Sequence, residues 1–414
     1  MQIKSMIRLC WWGCWGLSSW YLMAAELTWE QYVQLAQEQN PALQAAKAQQ
    51  NQASAKKSAA YQNWWPQISA GAGYQKGKTK TETYQLSLNA SYAFFQGGAG
   101  VAAIRLAQAN LEQAELNYQI QAANLSYNLK AAVANLRYGE NSLRLAQDIE
   151  KRRQRNLDLI NLRFKGGREN KGSYLLSQAY LAQAQLDVQI AKDNKIKAQT
   201  VVAQVVGKGE GDQISVKGDL PKVEVPPDLN LHALTENHPS YRQAQASFKA
   251  AEAGVTSSRS SFLPTITLTG SLGRSEDRWV PHPEDWTVGA NLTWPLFRGG
   301  ADYYQLKAAV AERHHAKWEQ KSTWQTIWEN IQASYQTFKQ AQQKVKVYQA
   351  FVDAGLVRAN IGRTKYNNGM MTFDEWDKIE SDLITNQKSL LQSQRDLALA
   401  AAAWEKAIGT GVIQ

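Results

Sequence analysis

Tyr84–Gly98, YQLSLNASYAFFQGG, and Trp286–Gly300, WTVGANLTWPLFRGG, are the two stretches that decide the fold. In the first, Tyr84, Leu86, Leu88, Ala90, Tyr92 and Phe94 alternate with Gln85, Ser87, Asn89 and Ser91. In the second, Trp286, Val288, Ala290, Leu292 and Trp294 alternate with Thr287, Asn291 and Thr293. A strict period of two puts every apolar side chain on one face of a strand. Each stretch runs through aromatics into a glycine pair, Gly97-Gly98 or Gly299-Gly300, and the chain beyond it turns helical. Glycine pairs at such places act as joints, because they accept dihedrals that other residues resist.

Each strand has an upstream partner introduced by a proline. After Trp64-Trp65-Pro66, Ile68, Ala70, Ala72 and Tyr74 alternate with polar and small residues; after Phe262-Leu263-Pro264, Ile266, Leu268 and Leu272 alternate with Thr265, Thr267, Thr269 and Ser271. Strands are therefore expected at 67–75, 84–95, 265–273 and 286–297. Each is about the length that crosses a bilayer when tilted. Tyr74, Tyr84, Tyr92, Phe94, Phe95, Trp286, Trp294 and Phe297 would supply the aromatic girdles found at membrane interfaces.

Between the strand pairs the chain is rich in Ala and Gln, good helix formers. A helix is expected from Ala99 to Phe164, on the order of 100 Å long at 1.5 Å per residue. Leu129, Leu136, Leu143, Leu157 and Phe164 fall on one seven-residue frame, beside a second frame of Leu125, Ala132, Gly139 and Ala146. This is the 3-4 spacing of long helices packed side by side. Lys165-Gly166-Gly167 turns the chain, and a return helix spans 173–206. The plan then recurs, with a helix over 301–365 framed by Trp324, Ile331, Phe338, Val345, Val352, Ala359 and Tyr366, a turn at Asn367-Asn368-Gly369, and a return helix over 372–408. Shifted by the Gly98–Gly300 offset, Ile331, Phe338, Val345 and Tyr366 fall on Leu129, Leu136, Leu143 and Phe164. Shorter helices precede each strand pair, starting from the capping box Thr28–Gln31 and breaking at Asn40-Pro41 and His238-Pro239. The chain therefore divides into a first repeat over 26–206, an irregular link over 207–230 carrying Gly218, Pro221, Pro226 and Pro227, and a second repeat over 231–414.

Residues 1–25 stand apart. Lys4 and Arg8 precede an apolar Leu9–Met23 run, and Ala24-Ala25 offers a small-residue cleavage point, the form of an export signal. Both cysteines, Cys10 and Cys14, lie in it, so the exported chain would carry none. Cys14 is also a position for lipidation, although Trp11 and Trp12 fit that signal poorly. The net charge of +10, from 46 basic and 36 acidic residues, is scattered along the helices, which argues for solvated faces and against nucleic acid. The five histidines are dispersed, and His314 and His315 point to different helix faces. No metal-ligand set, catalytic triad or phosphate loop stands out, so neither an enzyme nor a cofactor is expected.

No later run reaches 18 consecutive apolar residues, so membrane insertion must be by strands. Four strands cannot close a barrel, and lipid tolerates no open edge. Closure needs further copies: two would give eight strands and a filled interior, three would give twelve and room for a pore.

Asn40-Pro41-Ala42-Leu43, the pre-strand prolines, Trp294-Pro295-Leu296-Phe297-Arg298-Gly299-Gly300 and Tyr366-Asn367-Asn368-Gly369 together resemble the TolC-like outer-membrane efflux proteins, over essentially all of the exported chain. The resemblance implies an α plus membrane β fold, internally duplicated. Four transmembrane strands per chain would complete a 12-stranded trimeric barrel, continuous with a long α-helical coiled-coil barrel in the periplasm. It implies an outer-membrane exit duct for a tripartite efflux or type I secretion system, partnered by a periplasmic adaptor (membrane fusion protein) and an inner-membrane transporter. It places 207–230 in an equatorial belt and stacks 27–61 on 173–206, and 231–261 on 372–408.

The resemblance also makes the hairpin tips the gate and the docking point. Docking tips would be Phe164, Gly166, Gly167, Tyr366 and Gly369, and gate residues Arg363, Tyr366, Asp374, Glu375 and Asp377. The family's pore-facing aspartates fall on Glu375 and Lys378 when counted from Tyr366, one residue after Asp374 and Asp377. These acids suit either a pore ring or simply a helix N-terminus. Arg363 is placed to pair with an acid across hairpins, and the first hairpin is expected to hold three extra residues, Glu169–Lys171. A periplasmic coiled-coil structural or adaptor protein is the alternative.

Overall fold

A computed structural model describes residues 27–78, 80–208, 216–217, 229–276 and 285–413. Residues 1–25, expected to be an export signal, with both cysteines, and most of the 207–230 link lie outside the described residues. In chain order the elements are β1 (Leu27–Thr28), α1 (Trp29–Gln39), α2 (Pro41–Ala60), β2 (Gln67–Gly77), β3 (Lys80–Gln96), α3 (Ala99–Lys165), α4 (Lys171–Val206), β4 (Val216–Lys217), α5 (Leu231–Asn237), α6 (Pro239–Ser260), β5 (Thr265–Glu276), β6 (Asp285–Thr293), α7 (Ala301–Asn367) and α8 (Phe373–Ala407). From α1 to α4 and from α5 to α8 the succession is the same. Among the described residues no helix is long and apolar enough to cross a membrane.

The four long strands form one antiparallel sheet in the order β2-β3-β5-β6. Register aligns the apolar sets: Ile68 faces Ala90, Ala70 faces Leu88, Leu88 faces Leu272, and Leu272 faces Trp286. Ser, Thr, Asn, Gln and Gly fill the opposite face. The apolar face is uncovered, with Ile68 69%, Trp286 73% and Val288 76% exposed. Each such side chain would gain about 1.5–3 kcal/mol on leaving water. Among the described residues the edges β2 and β6 have no partner on their outer sides.

The strand over 286–297 stops earlier than expected, at Thr293. Pro295 has no N–H for a ladder, and the Trp294 indole donates to the Phe262 carbonyl at 3.2 Å. Its counterpart β3 carries Ala93 in the place of Pro295 and continues to Gln96, slipping one residue between Ala93 and Phe95. Beyond both strands the joints need left-handed backbone: Gly97 (φ 59), Gly98 (φ 91), Gly299 (φ 63) and Gly300 (φ 79). A Cβ on Gly97 would lie 2.7 Å from the Leu263 Cβ.

The helices make one layer of four rods. α3 packs against α2 and α4 on one flank and against α6 and α8 on the other, and α7 packs only outside α6 and α8 among the long helices. α2 and α4 follow each other along α3, as α6 and α8 follow along α7. α1 and α2 are separated by the break expected at Asn40-Pro41, and Trp29, Tyr32 and Ala36 pack into a core with Leu43, Leu129, Val133, Leu136, Val202 and Val206. Ile413, at the far end of the chain, fills the same core, and its N–H donates to Ser126 Oγ at 3.0 Å. The short β1 pairs in parallel with β4, returning part of the link to this level.

The seven-residue frame holds along α7, where Ile331, Phe338, Val352, Ala359 and Tyr366 are buried. Along α3 the first frame is buried at Leu129 and Leu136, whereas the second, Leu125, Ala132, Gly139 and Ala146, continues seven by seven to the buried Arg153 and Ile160.

Candidate gate and docking site at the hairpin tips

α3–α4 and α7–α8 are two helical hairpins, and their turns sit together at the end remote from the sheet. Both turns have the same length, 166–170 and 368–372. The three extra residues expected at Glu169–Lys171 are not there; the halves differ in length instead at the strand turns, where β2 and β3 are much closer in sequence than β5 and β6. The helix ends shift by a residue or two. α4 begins at Lys171 rather than 173, because Asn170 accepts from the Ser173 N–H as an N-cap. α8 begins at Phe373, capped by Thr372.

Tyr366 is the centre of the site. Its side chain is 1% exposed and stacks on Trp376 with ring centroids 4.5 Å apart. The Arg163 guanidinium lies 4.3 Å from the Tyr366 ring centroid and donates to the Tyr366 and Asn367 carbonyls at 2.8 and 2.9 Å. The phenol donates to Glu169 Oε2 at 2.7 Å. Burial, reinforced by the Glu169 carboxylate, raises the Tyr366 pKa, so the phenol stays a donor throughout the physiological range. Tyr366 thereby ties the second hairpin to the turn of the first. Phe164 stacks on Tyr174 within the first hairpin, at 5.3 Å.

Ten residues before Arg163 on α3, Arg153 donates to Asp377 at 2.6 Å and to Ser381 at 3.0 Å. The Tyr180 ring lies 4.4 Å from the guanidinium, and its hydroxyl also bonds Asp377. Arg363 does not reach across hairpins as expected. It pairs with Glu380 of its own hairpin at 3.0 Å, and it is Arg152 of α3 that approaches Glu380 from the other hairpin, at 3.8 Å. Glu380 is 1% exposed, so two guanidinium partners suit it. Lys388 to Asp187, Arg152 to Gln387 and Lys130 to Glu405 continue the stitching along the hairpins.

Glu375 serves its own helix. It accepts from the Thr372 N–H at 3.0 Å and completes a capping box, and those bonds lower its pKa. Asp374 is exposed. Gly166, Gly167 and Gly369 are exposed at the turns, while Gly97, Gly98, Gly299 and Gly300 are at the opposite, sheet end. Arg152, Arg153, Arg163 and Glu380 were missed in the sequence. Their signal was faint: Arg153 interrupts the apolar Ile149–Ile160 face, and Glu380 follows Ile379 inside a run of buried positions.

An uncovered apolar sheet carried on long helical hairpins is the fold of an outer-membrane channel protein. The sequence model of the outer membrane efflux protein family matches at residues 32–208 and again at 230–410, so the chain belongs to that family. It is 20% identical to the probable outer membrane lipoprotein SilC of Salmonella typhimurium over 79% of this chain and 74% of that one. It is 21% identical to outer membrane protein TolC of Escherichia coli, over 92% of this chain and 82% of that one. The crystal structure of the Campylobacter jejuni CmeC outer membrane channel superposes with a TM-score of 0.84 at 18% identity, over 92% of this chain and 85% of that one. The chain is an outer-membrane protein whose family members are channels.

Proposed function

We propose that the chain is the exit duct of a tripartite efflux or type I secretion system. Three copies would close twelve strands into a barrel in the outer membrane, continuous with a helical barrel across the periplasm. A periplasmic adaptor and an inner-membrane transporter would load it, and cargo would leave by passive diffusion, without chemistry or cofactor. The carrying observation is the sheet, with one face apolar, one face of hydroxyls and amides, and two open edges. An edge in lipid needs a partner, and further copies of this chain supply one. The helical layer agrees, since its two free flanks, α4 and α7, expose Leu186, Ile190 and Ile196 on one and Phe351, Val357 and Ile361 on the other. The family model matching twice supports an internal duplication, with repeats over 26–206 and 231–414 joined at an equatorial link.

In this reading the tip is the gate. Glu169 with Tyr366, Arg163 with the Tyr366–Asn367 carbonyls, and Arg153 with Asp377 hold the second hairpin against the first. Phe164, Gly166, Gly167 and Gly369 belong to the surface that meets the adaptor. Asp374 is free to contribute to an acidic ring, whereas Glu375 is committed to its cap.

The test is detergent-extracted protein, sized by light scattering and inserted in planar bilayers. Trimers with a conductance that grows when Arg153 and Tyr366 are substituted support the duct. Complete recovery in the soluble periplasmic fraction, or a monomer that never conducts, would sink it and favour a periplasmic coiled-coil protein.

A further inference from the structure

The two hairpin turns share one backbone but not one chemistry. In the first, the N–H groups of Gly166, Gly167 and Arg168 donate to the carbonyls of Leu162, Phe164 and Arg163; in the second, Asn368, Gly369 and Met370 donate to Thr364, Tyr366 and Lys365. The left-handed glycine matches as well, Gly167 at φ 67 and Gly369 at φ 74. On that common frame the first turn places Lys165, Arg168 and Lys171, where the second places Asn367, Met370 and Phe373. All three cations are exposed, and none has an ion-pair partner among the described residues. The turn's own acid, Glu169, faces inward to Tyr366. Lys171 even opens α4, where the helix dipole disfavours a cation. The second turn shows that the backbone needs none of these charges. It carries the exposed Lys365 and the exposed Asp374, and its Met370 is 65% exposed.

We propose that the first hairpin turn is a docking point for a carboxylate-bearing surface of a partner protein, with the second turn contributing an apolar contact through Met370. This rests on the duct reading, in which the tips meet another protein. Three copies would then present cationic and apolar tips in alternation, so a partner must alternate acidic and apolar contacts to match. Complementary charge of this kind governs partner choice and encounter rate more than total affinity.

The test uses full-length protein in detergent and three designed antiparallel helical-hairpin peptides, identical except for turns bearing carboxylates, amides or amines. The acidic hairpin should bind about tenfold more tightly than the amide one at low salt, and the preference should vanish as salt rises. Lys165→Asn with Arg168→Met, residues already accommodated by the second turn, together with Lys171→Gln, should abolish the preference. Equal binding of the three hairpins, or an unchanged preference in the triple variant, overturns the proposal. So does tighter binding of phosphatidylglycerol vesicles than of the acidic hairpin, which would make the turn a membrane contact. Bilayer conductance of the wild-type chain separates the two questions: a chain that forms no pore defeats the duct reading, whereas a conducting chain without acidic preference defeats only this one.

Discussion

The two seats where a return helix ends against a short helix are built on one plan with different side chains. At the first, Asn40 (φ −67, ψ 121) caps α2 and donates to the Val205 carbonyl at 2.9 Å. At the second, His238 (φ −65, ψ 131) caps α6, one ring nitrogen accepting from the Ser240 N–H at 3.1 Å while the other donates to the Lys406 carbonyl. Each return helix then ends in a left-handed glycine, Gly207 or Gly409, pressed on the junction. The fold requires one acceptor and one donor at this corner. An amide and a neutral imidazole both supply them, but only the imidazole titrates.

The largest expected effect breaks both seats alike. A Cβ on Gly207 would lie 2.5 Å from the Gln39 carbonyl oxygen, and one on Gly409 2.5 Å from the Pro239 ring, each with positive φ. Gly207→Ala or Gly409→Ala should cost about 3 kcal/mol, read as a lowered midpoint in denaturant unfolding followed by helical circular dichroism. Next comes the tie between hairpins. Arg153→Ala leaves Asp377 without its cation where its side chain is 13% exposed, and should cost about 2 kcal/mol while raising bilayer conductance. Asp377→Ala on top of it should add little, and full additivity would show that the two do not interact.

The pH response distinguishes the seats. Burial lowers the His238 pKa from 6.5, so the folded state favours the neutral ring. Its contribution is present above pH 6.5 and is lost as pH falls through the lower folded value. His238→Asn should remove that part of the acid sensitivity, and His238→Ala should cost about 1 kcal/mol as a lost cap. An unchanged acid profile in His238→Asn would mean that the ring is not what titrates. The smallest effect is at the tip: Tyr366→Phe removes the bond to Glu169 and should cost about 1 kcal/mol, seen as faster proteolysis of the hairpin turns.

Sequence alone exposed whatever is periodic. The alternation in Tyr84–Tyr92 survives intact in the sheet, and the α7 frame from Ile331 to Tyr366 names its buried face. What escaped depends on contacts between distant segments. Nothing adjacent in sequence pairs Arg153 with Asp377, because their meeting depends on how α3 lies against α8. Arg363 is the instructive error, since only the packing reveals that Glu380 in its own hairpin is nearer than any acid across the seam. The end of β6 was legible in principle, as Pro295 already forbids the ladder that alternation invited.

The core that Trp29 opens is finished by Ile413, whose backbone bonds Ser126 across 287 positions. Contacts so far apart in sequence are the last to form in a chain delivered from one end. This core is therefore complete only once Ile413 has joined segments from the start and middle of the chain, so removing Ile413 should loosen α1, α3 and α4 together while leaving the strands and the hairpin tips intact.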